Sequence, residues 1–119
     1  MEKINITEKL NLFHDYFNPR IIAELNGQHV KLGKFQGEFV WHKHDNEDEL
    51  FFVVEGEFDM HFRDKVVTIK KNEIIVVPKG IEHKPVAKNE VHVMLFEPAG
   101  TINTGEISNE MTKLNLQKI

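Results

Sequence analysis

The sequence predicts an all-β protein, a jelly-roll β-barrel (double-stranded β-helix) carrying one short helix at its amino end. From Arg20 onward, β-branched and aromatic segments follow one another at a spacing of about 8 to 12 residues, broken by Gly, Asn-Glu, Asp-Lys or Pro. No helical periodicity separates them, so consecutive strands pair antiparallel and close into a double sheet. Apolar residues at helical spacing stand ahead of them, at Ile6, Leu10, Phe13 and Phe17.

Taken in order, those four residues share one face of a helix. Asn5 followed by Glu8 supplies its cap, and Asn18-Pro19 supplies its stop. The stripe is expected to pack on the barrel or on a second subunit. Eight strands follow: Ile21 to Leu25, His29 to Phe35, Glu38 to Lys43, Leu50 to Val54, Phe58 to Phe62, Val66 to Ile69, Ile74 to Val77 and Val91 to Phe96. The last segment has no single period. Ile107, Met111 and Leu114 are spaced as in a helix, Leu114 and Leu116 as in a strand, so this tail stays unassigned. The organisation expected is a helical segment over residues 1–19, a barrel over 20–98 and a tail over 99–119, in one domain.

Composition narrows the function. Hydrophobic residues make up 40% and charged residues 29%, an ordinary globular balance. The formal charge of −4 gives no support to tracking along nucleic acid, which calls for a basic face. The longest aliphatic run, Ile74 to Val77, is far short of the roughly 20 residues that span a bilayer, so no membrane partner is expected. The first residues alternate charge and apolarity where a signal peptide needs a continuous apolar stretch; a cytoplasmic protein is expected. With no cysteine, any metal must be held by imidazole and carboxylate.

The chemistry is concentrated between Gly37 and His83. Side chains alternate along a strand, so His42 and His44 project from one face, Trp41 and Lys43 from the other. Glu49 shares parity with Phe51 and Val53, an apolar pair suited to the interior, and a carboxylate there is costly without a cation. Glu47 and Asp48 lie close by, and only spacing and parity favour Glu49. Pro78-Lys79-Gly80-Ile81-Glu82 forms a turn that delivers the imidazole of His83. Three His and one Glu suit a divalent metal such as Fe, Mn, Ni or Zn and leave room for water or substrate. The plain alternative is a solvated, charged strand end.

These residues resemble the cupin superfamily, in particular its small single-domain members. The family's first motif is matched by Gly37, His42, His44, Glu49 and Gly56, its second by Pro78, Gly80 and His83. The resemblance implies that His42, His44, Glu49 and His83 are metal ligands, that the barrel covers roughly Ile21 to Glu97, and that the protein is a homodimer. The sequence departs from the motifs in three places. Only four residues separate Gly37 from His42 where the pattern has five; Asn72 replaces a Gly, and is the residue best able to take its positive φ; Ala87 replaces an Asn.

The function expected is a metal-dependent enzyme on a small organic molecule, dioxygenase-like or isomerase-like. The alternative is a non-catalytic small-ligand binding or sensory barrel. For proton transfer the candidates are Glu49 and His92, the latter in phase with Met94 and Phe96, though structural hydrogen bonding is the ordinary role for such a His. His61 is out of phase with Phe58, Met60 and Phe62 and should face solvent. Phe51, Met60, Phe62 and Met94 are core or cavity wall, and an apolar cavity suits a small organic ligand.

Overall fold

The structure is a computed structural model and describes residues 1–119. One short helix, α1 (Ile6–Leu10), precedes seven strands: β1 (Arg20–Leu25), β2 (Gln28–Glu38), β3 (Glu49–Glu55), β4 (Glu57–Phe62), β5 (Val66–Lys70), β6 (Ile74–Val77) and β7 (His83–Pro98). They form one antiparallel sheet. Its main path runs β1-β2-β7-β3-β6, while β4 joins β7 to β5. β7 makes the closure possible: its first residues, His83 to Val86, pair with β4, and its later ones, from Val91, lie between β2 and β3. The inner faces of the two halves therefore meet.

Burial along the strands has the period of two that this requires. In β3, Phe51 and Val53 are buried while Phe52 and Val54 are half-buried; in β7, Val91, Val93 and Leu95 are buried. These side chains, with Phe35, Phe58, Met60 and Phe17, form the main core. A second cluster of Leu10, Phe13, Ile22 and Leu32 lies against Val30, Val54 and Met94, so the amino-terminal segment packs on the barrel as its stripe predicts. No helix is long and apolar enough to cross a membrane.

Three expectations need correction. The helix is capped by Asn5, whose side chain accepts from the Glu8 amide at 2.9 Å, but it ends at Leu10 and not at Asn18. Phe13 and Phe17 are buried by a different route. The Lys34 ammonium donates to the Phe13 carbonyl at 2.7 Å, and Phe17, at φ 54°, swings under the sheet to stack on Phe35 and Phe39 at 5.1 and 4.9 Å. Secondly, Glu38 to Lys43 is not a strand of its own. Gly37, at φ 86°, follows a bulge in the pairing of β2, and beyond Glu38 the chain keeps a bond from the Phe39 amide to the Pro85 carbonyl and an isolated bridge between His42 and His83. Seven strands remain. Thirdly, the strand drawn at Val91 to Phe96 is the end of the much longer β7.

The tail takes neither candidate form. It crosses the barrel end in turns, and its last residues run parallel to the edge of β1: the Ile21 amide donates to the Gln117 carbonyl at 2.9 Å, and the Ile119 amide to the Ile21 carbonyl at 3.0 Å. Asn72 does take the left-handed conformation, at φ 67°, in the turn between β5 and β6.

Candidate metal centre

His42 and His44 lie in the segment between β2 and β3, Glu49 is the first residue of β3, and His83 is the first of β7. Backbone pairing brings these distant positions together. His42 and His83 exchange two hydrogen bonds, at 3.0 and 2.9 Å, the Gly80 amide donates to the His44 carbonyl at 2.7 Å, and Glu49 pairs with Val77. All four side chains are buried, and one ligand atom from each lies within 4.8 Å of all the others. Glu47 is only half-buried and Asp48 is exposed; the Asp48 carboxylate accepts from the Lys79 amide at 2.8 Å, tying the two ligand-bearing loops together.

The donor chemistry fits a cation. His42 Nδ1 lies 2.8 Å from the Val40 carbonyl oxygen and His83 Nδ1 2.8 Å from that of Ile81. A carbonyl only accepts, so Nδ1 carries the hydrogen in both rings and Nε2 turns a lone pair toward the cluster. His44 Nε2 and His83 Nε2 stand 2.8 and 3.2 Å from Glu49 Oε1, yet none of the three atoms has a hydrogen-bond partner. For His83, whose hydrogen is on Nδ1, this closeness sets acceptor against acceptor, which a metal ion reconciles.

Charge makes the same point. Burial, and next the neighbouring His83, depress the His42 imidazole to about 4, so it is neutral and ready to ligate. Burial alone would push the Glu49 carboxyl up, but contacts with Glu97, His44 and His83 outweigh it and hold the group well below its ordinary range. Glu97 moves the other way. Burial first, then the hydrogen bond to Glu49 and the charge of that group, push it well above the carboxylate range, and Lys31, 2.6 Å from Glu97 Oε1, offsets this only in part. The two buried carboxyls in contact are thus pushed apart, Glu49 toward its charged form and Glu97 toward its neutral one.

A narrow cavity of about 30 Å³ leads outward from this cluster. His42, Glu49, Lys31 and Glu97 line it together with Phe35, Phe39, Phe51 and Leu95. The structure does not bring His92 there. It lies on the outer face of β7, where its ring contacts the Glu90 carboxylate at 2.7 Å, and Met94 shares that face. Trp41 also faces outward, under the Arg63 guanidinium at 3.8 Å. Lys31 and Glu97 were missed by the sequence reading. Glu97 carried the signal used for Glu49, a carboxylate in phase with buried Val91, Val93 and Leu95.

A closed antiparallel sheet holding three imidazoles and a carboxylate at the root of an apolar cavity defines a metal-capable jelly-roll barrel. The Cupin domain family model matches residues 25–97, and the chain belongs to that family. Among solved structures, a cupin-2 domain containing protein from Shewanella frigidimarina NCIMB 400 is 48% identical with a TM-score of 0.79, covering 80% of this chain and 93% of that one. The YdbB protein of Bacillus subtilis (strain 168) is 44% identical over 64 residues, 53% of this chain and 57% of its own length. The acireductone dioxygenase of Hahella chejuensis (strain KCTC 2396) is 32% identical over 71 residues, 56% of this chain and 38% of its own. The matched region thus spans only about half the length of those two relatives or less.

Proposed function

We propose that this cupin holds one divalent metal ion through His42, His44, Glu49 and His83 and acts as a metal-dependent enzyme on a small organic molecule, dioxygenase-like or isomerase-like. The observation that carries it is the convergence of three buried, unpartnered ligand atoms, His44 Nε2, His83 Nε2 and Glu49 Oε1. The name of the Hahella relative agrees with the dioxygenase-like form. When bound, iron, manganese, nickel or zinc would supply Lewis acidity and open coordination positions. The chain's own residues do the rest: the Val40 and Ile81 carbonyls fix the two ring tautomers, and Phe35, Phe39 and Phe51 keep bulk water from the inner cavity.

One observation favours a second reading, a non-catalytic small-ligand binding or sensory barrel. Apart from the proposed ligands, the ionisable groups lining the cavity are Lys31 and Glu97, and they are paired with each other. Metal analysis of protein purified without a nickel-binding tag, then oxygen consumption and turnover over a panel of diketones, flavonols and sugars, separates the readings. One equivalent of metal with turnover supports the enzyme, tight binding without turnover supports the sensor, and absence of metal uptake sinks both. A homodimer is also proposed. Leu50 and Phe52 of β3, Ile74 and Val76 of β6 and Phe96 of β7 continue the outer apolar face beyond the part that α1 covers.

A further inference from the structure

Part of the cavity wall is made by segments of the chain that lie outside the family match. Phe17 and Pro19 reach it from the amino-terminal segment, and Asn103 and Leu116 from the carboxy-terminal one, whereas the match covers residues 25–97. Both segments are fastened. Phe17 is stacked between Phe35 and Phe39 and its amide donates to the Lys34 carbonyl at 2.9 Å. The Asn103 side chain donates to the Met111 carbonyl at 2.9 Å and accepts from the Lys113 amide at 2.8 Å. Leu116 is held in place because Gln117 and Ile119 bond to the backbone of Ile21 on the edge of β1.

Polar His42 and Glu49 share the cavity wall with apolar Phe17, Phe39 and Leu116. A ligand therefore enters with an oxygen-bearing head toward His42 and Glu49, and its body lies against Phe17, Phe39 and Leu116. Leu116 is half-buried on a segment with no regular structure.

We propose that the two chain ends act as a size filter, with Leu116 setting the length of apolar body that a chelating ligand can carry into this site. The ligand class is a small organic molecule with a two-oxygen head and a short apolar tail. This inference rests on the metal-binding reading above and adds a specificity-determining residue to it.

The test uses the full chain loaded with Co²⁺, whose visible absorption changes when a chelator binds, and two probes that differ only in tail length, acetohydroxamate and hexanohydroxamate. In the wild type the longer tail must displace the Leu116 wall. In Leu116→Ala it gains the vacated space, and each methylene group moved from water to an apolar wall is worth about fourfold in affinity. The hexano to aceto affinity ratio is therefore expected to rise about tenfold or more in Leu116→Ala and to fall in Leu116→Trp, with acetohydroxamate affinity for Leu116→Ala unchanged. Cobalt bound at one equivalent with the same ratio in all three proteins would overturn the filter and leave the metal site intact. Failure of the wild type to take up cobalt would overturn both.

Discussion

Replacing His42 by Gln should change how stability depends on pH. The imidazole's ordinary value of 6.5 falls to about 4 in the fold, because burial and then His83 disfavour its charged form. Above about pH 6.5 the ring is neutral in both folded and unfolded chains, so it contributes no pH dependence there. Below that, the unfolded chain takes up a proton that the folded chain refuses, and stability drops as pH falls until the folded ring titrates as well. With these two values the loss is about 2 kcal/mol at about pH 5 and about 3 kcal/mol at about pH 4. Urea unfolding of the metal-free protein at about pH 7 and pH 5 measures it. Wild type should lose about 2 kcal/mol more than His42→Gln between the two conditions. Glu49 and Glu97 titrate in both proteins and largely cancel in that comparison. Parallel pH dependences would refute the argument, since the ring would then have no protonation difference between the two states.

Gly105 stands at φ +61°, and a Cβ there would lie 2.0 Å from the Lys43 carbonyl oxygen, which is backbone and cannot step aside. Gly105→Ala should therefore cost at least about 2 kcal/mol, read as a lower urea midpoint, by combining left-handed strain with displacement of the tail. Leu32→Ala, in the cluster beneath α1, should cost about 2–5 kcal/mol in the same assay. Lys31→Met removes the ammonium paired with the buried Glu97 carboxyl and should lower the urea midpoint, whereas the double variant Lys31→Met/Glu97→Leu should recover most of the loss. Additive losses in that cycle would mean that the two side chains do not act as a pair.

The site was more legible than the fold around it. Alternation placed His42 and His44 on one face even though no strand forms there, because an extended chain keeps that parity with or without a partner. Parity with Phe51 and Val53 likewise separated Glu49 from Asp48, and spacing alone separated it from Glu47. Other features lay outside such local rules. The α1 stripe had the right burial and the wrong geometry: Phe17 is drawn away by two aromatic faces, Phe35 and Phe39, that only the folded barrel brings near. The His92 face was misjudged by taking its phase from Met94 and Phe96 instead of from Val91, Val93 and Leu95. Met94 itself is half-buried, covered by the amino-terminal segment, so an apolar residue on that strand did not mark the inside. The end of the tail could not be read because it is held to Ile21 by backbone bonds, which leave no side-chain pattern.

The same backbone bonds explain why the centre is expected to exist before any ion arrives. Each proposed ligand stands at or beside a point where one segment is fastened to another: His42 to His83 by paired amides, His44 to Gly80, Glu49 to Val77. None of these bonds involves the side-chain atoms that would face a metal. The main core of Phe51, Val53, Met60, Val91 and Val93 is likewise complete without one. Metal affinity in this barrel then draws on geometry already secured by folding, unlike small domains in which ligation itself holds the chain together. Loading should consequently raise the unfolding midpoint through mass action alone, in step with free metal concentration, and the metal-free chain should unfold cooperatively with its strands intact.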